Sequence, residues 1–175
     1  MKLLRVGALA ISLLVLVIPE LVRHASERSL YRAVGLSQII SSGGAGSSRG
    51  LLLERVDTLV QDASRGLPGD PRPLMTRGIA ELAANHIPEA REAFSGSLRL
   101  SERADALLGL GFCEAAAGRA GPAREAFLRA GWISPALIPR IPEPERTFVT
   151  NEVSRLERLL LMGRLVSIPP PPNAR

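Results

Sequence analysis

Only a few side chains in this 175-residue chain have the chemistry of a catalyst, and their spacing argues against each of them. Glu81 and Glu114 could make a carboxylate pair, in which one acid is kept protonated and its partner ionised. They stand at the same place in two copies of a repeated segment, so stacked structural positions come before a catalytic dyad. Cys113 lies in the Ala-rich stretch GFCEAAAG with no His nearby to draw off its proton, which predicts a small core side chain, not a nucleophile. His24 and His86 form no HxxxH pair and no cluster with Cys, so zinc and haem have no ligand set. The single Cys excludes an internal disulfide framework. No GxSxG, GxxxxGK[ST], DxDxDG or HExxH stretch is present. The expectation is therefore no catalytic residue, no metal, no cofactor, no small-molecule substrate and no enzymatic activity.

The elements that carry these residues are legible from composition and repetition. Hydrophobic residues make up 46% of the chain and aromatics only 3%, so the core must be aliphatic and Ala-rich. Small side chains fill little space, which demands close contact between helices. Fourteen Pro and 16 Gly supply hard stops between them. Self-comparison aligns GIAELAANHIPEAREAFSGS (78–97) with GFCEAAAGRAGPAREAFLRA (111–130) at a period of 33, with nine of twenty positions identical. Leu74, Gly78 and Leu82, like Leu107, Gly111 and Ala115, recur every fourth residue on one helix face. Pro88 and Gly121-Pro122 end one helix and open the next, since Pro is tolerated in a first turn. Each copy is thus predicted as helix–turn–helix, with Gly78/Ala90 and Gly111/Ala123 allowing close approach and Phe94 and Phe127 filling the space between hairpins.

In these positions the chain resembles the tetratricopeptide (TPR) family, whose pattern is W-x2-L-G-x2-Y, A-x3-F and P. The second copy carries Leu107 in the Trp place, Leu110-Gly111, Ala123, Phe127 and Pro135. The first copy carries Leu74, Gly78, Ala90, Phe94 and Ser97, but has Arg77 for the Leu and Glu102 for the Pro, and both copies have Glu in the Tyr place. RGLLLERVDTLVQDASRG reads as the second helix of a degenerate earlier copy, with 26–40 as its first helix. The resemblance covers residues 50–135 and implies an all-α, short helical-hairpin solenoid. It also implies a concave face that takes ligands through the first helix of each hairpin, here at Arg72, Met75, Ile79, Leu82 and Ala83, then at Asp105, Leu108, Phe112, Ala115 and Ala116. The middle of that groove is apolar, so its expected occupant is an amphipathic helix or apolar segment of a protein partner. The competing expectation is that the chain's own C-terminal or juxtamembrane helix fills it. With the groove open, Phe112→Glu should abolish partner capture and leave helix content intact.

Outside the repeats, residues 1–23 begin with two basic residues and run from Val6 to Ile18 with Ser12 as the only polar side chain. No small-residue cleavage site follows before Arg23, which favours an uncleaved signal anchor over a cleaved peptide, with a buried soluble helix as a third alternative. The formal charge of +5 is concentrated here and in the tail: residues 1–49 carry +4, while residues 50–163 carry 14 Arg against 15 acids. A neutral, interleaved body argues against nucleic acid. His24, Arg28 and Arg32 recur every fourth residue, and with Arg23 they would face anionic headgroups. A short basic lead favours the N-terminus inside, placing the rest of the chain in the periplasm. All but one of 22 basic residues are Arg, a composition that points to a GC-rich bacterial genome and hence to a bacterial inner membrane.

Residues 24–49 read as a juxtamembrane helix and a flexible Gly/Ser linker. Residues 136–163 read as a capping region, with Val149, Val153, Leu156 and Leu160 on one helix face and Trp132 beneath it. Residues 164–175 are too Pro-rich to pack. The functional expectation is a single-pass, membrane-anchored scaffold for a cell-envelope process such as secretion, cytochrome maturation or polysaccharide assembly. The alternative is a small constitutive subunit of a multi-span membrane complex, using Gly7-x-x-Ala10 as a contact.

Overall fold

The computed structural model describes the backbone of residues 2–170 and the side chains of residues 17–170. Among the described residues the chain is all-helical: α1 (Lys2–Ser41), α2 (Arg49–Gly66), α3 (Arg72–Ala83), α4 (Ile87–Leu100), α5 (Ala104–Ala116), α6 (Ala120–Ile133) and α7 (Glu145–Leu161), with 3₁₀ turns at Gly46–Ser48 and Pro135–Arg140. Three hairpins follow in chain order, α1 with α2, α3 with α4, and α5 with α6, and α7 closes against α6. First helices also touch first helices, α1 against α3 and α3 against α5.

The two central hairpins are built alike because their turns and interfaces are specified alike. Asn85 (φ 66°) and Gly118 (φ 74°) are repeat-equivalent and end the first helix in the left-handed region that Gly and Asn tolerate best. Behind them the His86 amide donates to the Glu81 carbonyl and the Arg119 amide to the Glu114 carbonyl, each at 2.9 Å. Phe94 and Phe127 are each fully enclosed, and so are Ala90 and Ala123 at the start of each AREAF block. A Cβ on Gly78 would lie 2.9 Å from Phe94 Cδ1, and one on Gly111 would collide with the Phe127 ring, so only Gly admits the aromatic face. Burying each ring is worth about 1.5–3 kcal/mol.

α1 runs from Lys2 to Ser41 without interruption. Two expectations are corrected. The 41–50 stretch is not a flexible linker but a tight connection, in which the Gly44 amide donates to Ile39 O at 3.1 Å and Ala45 is buried against Ile40, Val56 and Ala80. Its small residues let the chain reverse within a few residues and bring α2 back along α1. Of the Pro-rich tail, residues 164–170 are described; they are extended and mostly exposed, but Pro169 is buried and its carbonyl accepts a 2.6 Å hydrogen bond from Arg129 Nη1. A proline carbonyl remains a good acceptor even though the residue has no N–H to donate.

The cap lies where hydrophobic spacing puts it. Val149 and Val153 share a buried cluster with Phe127 and Ala130, Trp132 packs partly buried against that cluster, and Leu160 stays outside it. Among the described residues no helix is long and apolar enough to cross a membrane. Most of the expected anchor, including Gly7 and Ala10, lies outside the residues whose side chains are described.

Candidate functional site

Between α3 and α5 lies a cavity of about 330 Å³. Ile79, Leu82, Leu108 and Phe112 form its apolar wall, Asp105 and Arg140 stand at its rim, and Ser41 closes one end. Of the seven predicted groove residues larger than Ala, five therefore meet in one place, with Ala83 beside them, while Ala115 and Ala116 do not line it. The reason is geometric: positions separated by three or four residues share a helix face, and two neighbouring first helices present the same face side by side.

The seven are nevertheless not equivalent. Ile79 is exposed, while Leu108 is a core residue that shows the cavity only an edge. Phe112 is half-buried, its ring packed edge-on against Phe127 at 5.5 Å between centroids and 75° between planes. Phe112→Glu would therefore strike the core as well as the groove. Met75 packs with the cluster around Phe94 and does not line the cavity. Arg72 lies elsewhere: its Nη2 donates to Glu27 at 2.8 Å and its Nε to Asp70 Oδ2 at 2.9 Å, fastening the start of α3 to α1. Family offsets count positions along a repeat and take no account of a neighbouring acid that can capture an arginine.

Neither the juxtamembrane helix nor the C-terminal helix fills the groove. Among the described residues α1 contributes only Ser41 to the lining and α7 contributes nothing. The sequence offered no sign of Ser41 or Arg140 at this site, because Ser41 ends α1 and Arg140 ends the 3₁₀ turn after α6, both outside the repeats.

The residues with catalytic potential are used structurally. Glu114 is buried and held by Arg91 Nε at 2.7 Å and by Arg119 Nε. Burial pushes its carboxyl up, but the hydrogen bonds from Arg119 and Arg91 outweigh that and hold it below the ordinary carboxylate range. Glu81 Oε2 accepts a 2.9 Å hydrogen bond from His86 Nδ1 and has Arg77 Nε at 3.9 Å. Both glutamates thus clamp the turn that follows their own helix. Burial pushes the Cys113 thiol up to about 12, with Glu114 adding to the effect, which leaves no thiolate to react. No group of three or more His, Cys, Asp and Glu side chains that could hold a metal occurs among the described residues. Of the predicted membrane-surface arginines, Arg23, Arg28 and Arg32 are all exposed on α1, and Arg28 Nη2 lies 3.1 Å from His24 Nε2.

What this geometry defines is an all-helical protein of stacked hairpins with an apolar cleft between first helices, and no assembled reaction centre among the described residues. Compared with protein-family models, curated proteins and solved structures, the chain finds no match.

Proposed function

We propose that this chain is a membrane-anchored, tetratricopeptide-type adaptor that works by tethering, without enzymatic activity. In this reading α1 continues from a single-pass anchor in a bacterial inner membrane into the first hairpin, and the hairpins lie in the periplasm. Its partner is a protein that inserts the apolar face of an amphipathic helix between α3 and α5. The observation that carries the reading is the open apolar cavity itself, which no other part of the described chain occupies. At about 330 Å³ it suits a few anchor side chains spaced three or four residues apart. Arg140 at its rim has no carboxylate partner among the described residues, which favours an acidic residue beside those anchors. Confinement to a surface raises the effective concentration of the groove for membrane partners.

A second reading, a fixed subunit of a multi-span complex, draws on Val17, Ile18, Leu21 and Val22, which all stand exposed on α1. Mild detergent extraction and gel filtration of the full chain separate the two. The adaptor reading expects a sub-stoichiometric partner that is lost with Ile79→Glu, an exposed site whose change leaves the helical circular dichroism intact. Retention of the partner by that variant ends the groove reading. Co-migration at fixed stoichiometry, sensitive to Leu21→Ala and Val22→Ala instead, establishes the subunit.

A further inference from the structure

A second cleft, of about 530 Å³, is lined by α1, the connection from α2 to the start of α3, and the residue that precedes α5. Arginines from three distant parts of the sequence line it: Arg23, Arg72 and Arg103. We propose that this cleft binds a phosphate group, either the headgroup of an anionic lipid or a soluble phosphate.

The three cations are not equally committed. Arg72 is the most engaged, since Asp70 takes its Nε and Nη2 and Glu27 its Nη2. Asp70 also faces the cleft, but its carboxylate is occupied by that guanidinium and by the Arg72 amide at 2.8 Å, and it is held below the ordinary carboxylate range by the Arg72 hydrogen bond. Arg103 is different. It reaches Asp105 through Nη2 alone, at 3.2 Å, and its Nε is shielded from solvent with no hydrogen-bond partner. Arg103 therefore keeps donors unused, and an oxyanion in the cleft can accept from the part of its guanidinium that stands exposed. Arg23 has no carboxylate partner among the described residues and remains available to the same anion.

The chain is shaped to admit such a group. Gly66 lets the end of α2 lie close against α1, where a Cβ would collide with Ser26. Gly69 turns at φ 81°, and Pro68 and Pro71 flank it, so the wall of the cleft is low and rigid. Arginine is suited to the task because its planar fork matches two oxygens of a phosphate at once. Arg23 directly follows the exposed apolar residues Leu21 and Val22, a placement that suits a headgroup.

The test follows the Arg103 Nε–H signal by ¹⁵N NMR in the full chain. Inorganic phosphate is titrated in a neutral detergent, with chloride at matched ionic strength as control. Phosphate should shift that signal and the Gly66 and Gly69 backbone amides saturably, and by those amides Arg103→Gln should weaken phosphate binding about tenfold with helical circular dichroism unchanged. Arg103→Lys should recover only part of it, and Arg32→Gln, away from the cleft, should have no effect. Nanodiscs then separate the sources. A signal already shifted in phosphatidylglycerol but not in phosphatidylcholine identifies a lipid headgroup. A signal moved only by added phosphate in both identifies a soluble ligand. A response equal for chloride, equally lost in Arg32→Gln, or absent in every arm overturns the proposal.

Discussion

The α3–α4 and α5–α6 hairpins share a sequence frame and differ in what stands next to them. In both, Gly faces Phe inside the hairpin, and a left-handed residue follows the first helix. Outside that frame they diverge. The Phe94 ring is pressed on its far side by Gly109 of the next hairpin, whereas Phe127 is met by Phe112 and shares its cluster with Ile141 and Val149 of the cap. The equivalent glutamates diverge too: Glu81 pairs with half-exposed His86, while buried Glu114 is clamped between two arginines. A repeat therefore dictates the inside of a hairpin, and its neighbours dictate the outside.

The comparison can be broken most forcefully at the rings. Phe94→Ala and Phe127→Ala should each cost about 3–5 kcal/mol in denaturant unfolding. A cost under about 1 kcal/mol at either site would show that the two frames are not equivalent. Adding a methyl opposite the rings comes next. Gly78→Ala and Gly111→Ala should destabilise by about 1–3 kcal/mol through overpacking, although Ala is the better helix former by about 1 kcal/mol. Gly111→Ala should cost more, because its Cβ meets the ring more closely.

The glutamates sharpen the contrast at intermediate size. Glu114→Gln should cost about 1–2 kcal/mol at neutral pH, a range held down because Arg91 and Arg119 are partly exposed and screened, and Glu81→Gln less than about 0.5 kcal/mol, since its His86 partner is exposed. Because the folded Glu114 carboxyl lies below its ordinary value, its contribution is complete above about pH 4.5 and is lost as pH falls through the lower folded value. The gap between wild type and Glu114→Gln in thermal melts should therefore close in acid. A gap that persists at pH 2 would mean the effect is packing, not charge. At the small end, Gly118→Ala should cost about 1 kcal/mol for its left-handed turn, while Asn85→Gly should change stability by less than about 0.5 kcal/mol.

The hairpins were readable because each rests on short-range rules. Leu74–Gly78–Leu82 spacing, Pro88 in a first turn, and Gly or Asn after a helix act within a few residues, and repetition at 33 states them twice. The groove was readable in its middle for the same reason, since Ile79, Leu82, Leu108 and Phe112 follow from helix periodicity. Arg72 was misplaced because its position depends on Glu27, which lies 45 residues away in sequence. The 41–50 connection was misread because Gly and Ser describe both a loose linker and a tight reversal, and the packing of Ala45 against Val56 and Ala80 decides between them.

Periodicity and turn chemistry, then, were enough to determine helices, hairpins and an apolar cleft, because each depends on neighbours along the chain. Which arginines would be spent on ion pairs, which left with an unused donor, and which end of the groove Arg140 would occupy were settled only by the fold. Those outcomes turn on distances between side chains remote in sequence, which only the packing of the helices sets.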